Sequence, residues 1–212
     1  MSAGSRFTAK KLAVPLAFVA ALTPLAWLGV RYLRDDLTAN PISEVLNQLG
    51  LLAVLSLIAC LSCTPLKLIF GWKWPLLVRK TFGNFAFFFG CLHLSTYLGL
   101  DQFFDWRAIG NDILKHKFIL LGMSAWLCLL PLAITSTKGW VKRLGFRRWK
   151  QLHRLVYLAG ALGSLHFFLR FKTARPGTLI YAGALVVLLL VRVIDWRRRA
   201  VPAPSPVPGR SG

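Results

Sequence analysis

The chain has four histidines, at positions 93, 116, 153 and 166. An imidazole inside an apolar run must find a partner, and the neutral ring is also a good ligand for transition metals. His93 lies in FGNFAFFFGCLHLSTYLGL, and His153 and His166 share RRWKQLHRLVYLAGALGSLHFFLRFK. His116, in KHKF between two lysines, reads as a solvated surface histidine. The chemistry open to the other three depends on what positions them.

Of the 212 residues, 56% are hydrophobic and 16% charged, and the charges fall between long apolar runs. Runs near twenty residues match the thickness of a bilayer as helices and are too long for barrel strands. In lipid every backbone N–H and C=O must be bonded internally, which selects helices. The expected fold is all-α: a bundle of six transmembrane helices near 12–30, 43–63, 81–100, 115–135, 150–171 and 178–196, with both termini cytoplasmic. Residues 1–11 form a cytoplasmic N-terminus, 12–196 the membrane domain, and the Pro-, Ser- and Gly-rich 197–212 a disordered tail. Pro15, Pro24 and Pro131 fall inside spans, where proline is tolerated, while Pro65, Pro75 and Pro176 punctuate loops. The first run is long for a signal peptide, lacks a small-x-small cleavage site, and is read as an uncleaved span.

The net charge of +20 admits nucleic-acid binding, but its placement argues against it. With the N-terminus inside, most of the 27 Lys and Arg fall on the cytoplasmic side, as the positive-inside rule requires. Asp35, Asp36, Glu44, Asp101, Asp105 and Asp112 fall outside; Asp195 is the seventh acid and lies inside. Basic inner loops suit anionic lipid headgroups, so the expected partners are membrane lipid and not nucleic acid. Cys60 and Cys63 form a C-x-x-C, read as small apolar packing residues, as are Cys91 and Cys128. No C-x-x-C-H suggests covalent haem attachment.

At 1.5 Å rise per residue, His93 and His166 lie roughly 18–24 Å along helices that run in the same direction. They can face each other in the outer half of the membrane. Two neutral histidines from two helices suit the two faces of a haem iron; a hydrogen-bonded packing pair is the alternative. Phe85, Phe87, Phe88 and Phe89, with Gly83, Gly90 and Gly99, are suitable neighbours. So are Ala159, Gly160, Ala161, Gly163 and Ser164, although small residues also serve direct helix packing. His153 lies about 20 Å from His166 along an unbroken helix, but thirteen residues would point the two rings to nearly opposite sides. Fourteen residues before His93 stands Arg79, which cannot ligate iron but could pair with a propionate or a flavin phosphate. The inner site therefore admits a haem with one histidine, a haem with another second ligand, or a different cofactor.

The segments TSTKGWVKRLGFRRWKQLHRLVYLAG (135–160), RKTFGNFAFFFGCLHLSTYLGL (79–100) and LIYAGALVVLLLVR (179–192) carry a resemblance. Together they resemble the haem-binding membrane subunit family of the bacterial MsrPQ methionine sulfoxide reductase systems, also called YedZ, within the ferric reductase-like transmembrane group. The resemblance runs from about residue 8 to 196, with Trp149 to His153, the preceding T-S-T and the His93/His166 pair its most specific features. It implies that His93, His153 and His166 are haem-associated and that one or two haems b, and FMN, are bound. It implies electrons taken from the quinone pool or a flavin reductase and passed to a periplasmic, molybdopterin-containing catalytic subunit. That partner repairs oxidised methionine in envelope proteins. It implies a bacterial inner-membrane location. Many members of the wider group carry two histidine pairs and a soluble nucleotide-binding domain. Here there is no G-x-G-x-x-G stretch, so the electron source is expected to be another molecule.

Two other functions compete. A stand-alone ferric or metal reductase would use the same histidines without a periplasmic partner. A small transporter or proton pathway would use His93 and His166 as relays, but it calls for intramembrane acids and repeats that the sequence lacks.

Overall fold

Long apolar segments become helices here because lipid offers their backbone no other partner. The computed structural model describes residues 3–170 and 176–200. Among these, the order is α1 (Ala3–Leu33), α2 (Pro41–Phe70), α3 (Pro75–Thr96), a π-helical turn (Tyr97–Asp101), α4 (Trp106–Lys115), α5 (Lys117–Ile134), α6 (Lys138–Leu144), α7 (Phe146–Leu152), α8 (Leu155–Arg170) and α9 (Pro176–Ala200). There is no strand among the described residues, and the all-α membrane architecture stands.

Local chemistry sets the ends. Asn40 caps α2 by accepting from Ser43 N at 3.0 Å, and Pro41 takes the first helical position, where its missing N–H costs nothing. Gly71 ends α2 at φ +71°, the left-handed conformation that glycine adopts without strain, and its N–H returns to Lys67 O. Asp105 caps α4 through bonds to the Arg107 and Ala108 N–H groups. The α1–α2 turn is held by Arg31, which bonds the Glu44 carboxylate, and by Thr38 N, which donates to the same side chain at 2.7 Å.

Five segments are long and apolar enough to cross a membrane: Leu12–Leu33, Pro41–Phe70, Lys117–Ile134, Phe146–Arg170 and Leu179–Arg198. The one expected span outside these five, the third at 81–100, corresponds to α3. Its 22 residues give about 33 Å of helix, but Arg79, Lys80, Asn84 and His93 dilute its apolar character. Several sequence expectations are corrected. Pro65 lies inside α2, which runs on to Phe70. Arg79 stands in the second turn of α3 rather than in a loop, because Pro75 starts that helix early. The expected fifth span breaks at His153 and Arg154, where Arg154 N reaches only to Gln151 O and Tyr157 N only to Arg154 O. Helix α9 continues past 196 to Ala200; the rest of the expected tail, and Met1 and Ser2, lie outside the described residues.

The tightest helix pairs are α2 with α3 and α5 with α8, and α9 packs against both α2 and α8. One core joins Val54, Leu57 and Leu61 of α2 to Ala86, Leu132, Val156 and Leu185, one each from α3, α5, α8 and α9. A second packs Phe85 and Phe89 of α3 against Ala21, Leu49 and Leu52. These aromatic rings fill the α1–α2–α3 interface. That is a correction to the expected place of Phe85 and Phe89 beside a macrocycle: these two rings are taken up in packing, and the aromatic residues of the cavity wall are Tyr97, Phe118, Trp126 and Phe167. The outer faces keep large apolar side chains such as Leu16, Val19, Val187 and Leu190 exposed, as lipid-facing surfaces do.

Candidate two-histidine site

The crossing of α2, α3, α5 and α8 leaves a cavity of about 280 Å³ lined by His93, His166, Gly50, Gly122, Gly163 and Trp126, among others. His93 comes from the last turn of α3 and His166 from the last turns of α8. Their ring centres are 6.2 Å apart and their planes stand at 82°.

Each ring is fixed from behind in the same way. His93 Nδ1 lies 2.9 Å from Leu46 O, in the first turns of α2, and His166 Nδ1 lies 2.6 Å from Phe118 O, in the first turn of α5. A carbonyl can only accept, so in each ring Nδ1 carries a proton, and in the neutral ring Nε2 keeps its lone pair. That is the tautomer of a metal-ligating histidine whose other nitrogen is held by a backbone carbonyl. Gly50 and Gly122 stand four residues after the two carbonyls, one turn above them. A Cβ at Gly50 would meet the His93 ring at 3.1 Å, and one at Gly122 would meet His166 Nδ1 at 2.7 Å. The glycines are the space in which the imidazoles sit. They cost helix propensity of about 1 kcal/mol each, which marks them as needed at these positions.

The donor set suits a metal between the rings. Imidazole nitrogens bind first-row metals at about 2 Å, and a ring centre lies roughly 1 Å further out, so two axial imidazoles place their ring centres about 6 Å apart. The observed 6.2 Å matches, with two neutral nitrogen donors and no acid side chain between them. Small residues Ala53, Ala86, Ala159 and Gly163 line the walls where a flat group would need room.

His153 and Arg79 lie elsewhere. Arg79 is fourteen residues before His93, about 21 Å back along α3. His153 caps α7; its ring lies 4.0 Å from the Trp149 ring, and Nε2 is 3.1 Å from Thr135 Oγ1. The Thr135 hydroxyl donates to Pro131 O at 2.6 Å, so it accepts from His153 Nε2–H. Trp149 Nε1 donates to Thr135 O at 2.9 Å, which ties the T-S-T and W-x-Q-L-H stretches together through one residue. Arg79 lies near both Cys60 and His153. Because the helix breaks at His153, the angular offset expected between it and His166 does not apply. Cys60 and Cys63 are buried free thiols, and Cys63 packs with Ala17 and Val78.

Residues 46–164 match the family described as ferric reductase like transmembrane component. Relatives named protein-methionine-sulfoxide reductase heme-binding subunit MsrQ are 52% identical in Rhodospirillum rubrum, over 89% of this chain and 91% of the relative. The one in Caulobacter vibrioides is 45% identical over 87% and 88%, and that in Herminiimonas arsenicoxydans 43% over 87% and 86%. The chain belongs to the MsrQ family of ferric reductase-like transmembrane proteins. It is a multi-pass membrane protein. The matched stretch of 46–164 contains Gly50, His93, Gly122 and His153 and stops just short of His166.

Two features escaped the sequence reading. Gly50 and Gly122 sit on helices without a ligand histidine, and only their fourth-residue relation to a first-turn carbonyl singles them out. His116 is exposed, as the sequence reading has it, and also lines the cavity mouth, with its Nδ1 2.7 Å from Asp112.

Proposed function

We propose that the chain is the haem b electron-transfer subunit of a methionine sulfoxide reductase system of the bacterial inner membrane. His93 and His166 would be the axial ligands, one from α3 and one from α8. The observation that carries this reading is the pair itself: two neutral rings at metal-bridging separation, each held by a backbone carbonyl and backed by a glycine. Bound haem would supply a one-electron carrier; its axial ligands and surroundings set the potential. The chain's own groups do the rest: the backbone carbonyls of Leu46 and Phe118 hold the proton on Nδ1 of each ring.

In this reading electrons arrive from quinol or a flavin reductase at the basic end. They leave at the His93/His166 end toward a periplasmic molybdopterin-containing catalytic subunit. One haem is assigned to this pair. His153, whose Nε2 is committed to Thr135, is given a structural role, with Arg79 beside it as a cation suited to a phosphate such as that of FMN. The relatives' names, which give a heme-binding subunit, support the haem and the partnership.

The test is an oxidised and dithionite-reduced absorption spectrum with haem quantified per chain. The unmodified protein should show sharp reduced α and β bands, and His93→Ala or His166→Ala should abolish them. Full haem content in both variants would sink the assignment. Ferric reduction that is as fast without the catalytic subunit as methionine sulfoxide reduction is with it would favour the stand-alone reductase.

A further inference from the structure

The cavity mouth carries a second hydrogen-bonded group that takes no part in holding His93 or His166. Asp112 on α4 accepts from the Tyr97 hydroxyl at 2.8 Å, and its other oxygen lies 2.7 Å from His116 Nδ1. The π-helical turn, α4 and the α4–α5 junction thus converge on one carboxylate. All three residues line the same cavity as the ligand pair. The His116 side chain is 46% exposed and that of Asp112 26%, so the pair meets water on one side and the cavity on the other. Imidazole is the side chain that ordinarily changes charge between about pH 5 and 8.

The group is also electrically close. The Phe118 ring centre lies 5.5 Å from that of His116 and 5.9 Å from that of His166, so the two imidazoles are within about 11 Å of each other. At that range, with an effective dielectric near 20, one unit of charge changes a proton affinity about tenfold.

Resting on the haem reading above, we propose that the His116–Asp112 pair is a proton-exchange group linked to the haem. When the iron gains one electron from quinol or reduced flavin, the pair's proton affinity rises about tenfold, so that near its midpoint about half of the pairs take up a proton from water at this end of the molecule. When the electron leaves, the proton returns to water. The other charged or titratable groups facing the pair are Tyr97 and Asp101 from the π-helical turn and Arg170 from α8, with Lys115 and Lys117 flanking His116 in sequence; α2 offers Ser43 and Asn47, which do not titrate. The Tyr97 hydroxyl donates a hydrogen bond to Asp112 and keeps its proton in this range. The sign follows from charge: the reduced iron favours the protonated pair, so the midpoint potential falls as pH rises through the titration and is flat on either side.

The experiment is a spectroscopic redox titration of the haem-loaded full chain in lipid nanodiscs between about pH 5 and 8. It compares the unmodified protein with His116→Gln and Asp112→Asn, neither of which touches His93 or His166. In the unmodified protein the ferrous-to-ferric ratio at fixed potential should fall about tenfold across the range, equivalent to ~59 mV for one electron. Both variants should keep the same absorption spectrum and lose that dependence. A flat profile in the unmodified protein would overturn the proposal. So would a dependence retained in both variants, which would assign the proton to Asp101 or to the haem's own carboxylates. Absence of haem from the unmodified protein would overturn the ligand reading, and this proposal with it.

Discussion

At the scale of single residues, the two glycines behind the histidines make unequal predictions. A methyl at Gly122 would stand 2.7 Å from His166 Nδ1, closer than real contacts allow, against 3.1 Å at Gly50. Gly122→Ala should therefore displace the His166 ring and break its bond to Phe118 O, with loss of most bound haem. Gly50→Ala should retain haem with a weakened, broadened low-spin spectrum. Haem per chain and the reduced α band decide this, and equal loss in both would mean the close approach is not what matters. Thr135 makes the opposite kind of prediction. Thr135→Val keeps the shape but removes the acceptor of the half-buried His153 N–H, at a cost of about 1 kcal/mol. The thermal midpoint in detergent should fall while the haem spectrum stays unchanged. A loss of haem on Thr135→Val would restore His153 to the ligand set.

At the scale of elements, the short helices α6 and α7 show why part of the site was hidden in the sequence. Apolar length announced the long helices, and matched depth brought His93 and His166 together, because both depend on quantities that add along a chain. The break at His153 depends on a few bonds: Trp149 Nε1 to Thr135 O, His153 to Thr135 Oγ1, and short-range bonds from Arg154 and Tyr157. No periodicity encodes these, so the segment read as one straight helix. The same holds for α4, whose start is fixed by the Asp105 cap within what looked like a loop. The tether between α7 and α5 can be tested directly. Trp149→Phe keeps a ring against His153 but removes the 2.9 Å bond to Thr135 O, and should cost about 1 kcal/mol; Trp149→Ala removes both and should cost more. Thermal melts of the two variants in the same detergent give the order, and equal midpoints would show that the indole N–H contributes nothing.

At the scale of the whole molecule, the distribution of charge and the position of the ligand pair have to agree on one direction. Helices α3 and α8 both end beside the cavity, and the acids Asp101, Asp105 and Asp112 lie at that same end. The basic stretches between α2 and α3 and between α5 and α8 lie at the other, next to Arg79 and His153. The positive-inside rule would put the basic end in the cytoplasm, where it would also meet anionic headgroups, and the His93/His166 end toward the periplasm. The proposed function depends on this, because in that reading an electron delivered to the other side would reach no envelope substrate. Single cysteines test it in intact cells, against a background lacking Cys60, Cys63, Cys91 and Cys128. Arg34→Cys and Arg107→Cys, both exposed, should react with a membrane-impermeant thiol reagent once the outer membrane is permeable to it. Lys73→Cys and Arg147→Cys, exposed at the opposite end, should react only after the inner membrane is opened. The reverse pattern would invert the molecule and place the histidine pair on the cytoplasmic side. Labelling of Lys73→Cys together with Arg107→Cys would mean that α3, which is not among the five apolar segments, does not cross the membrane.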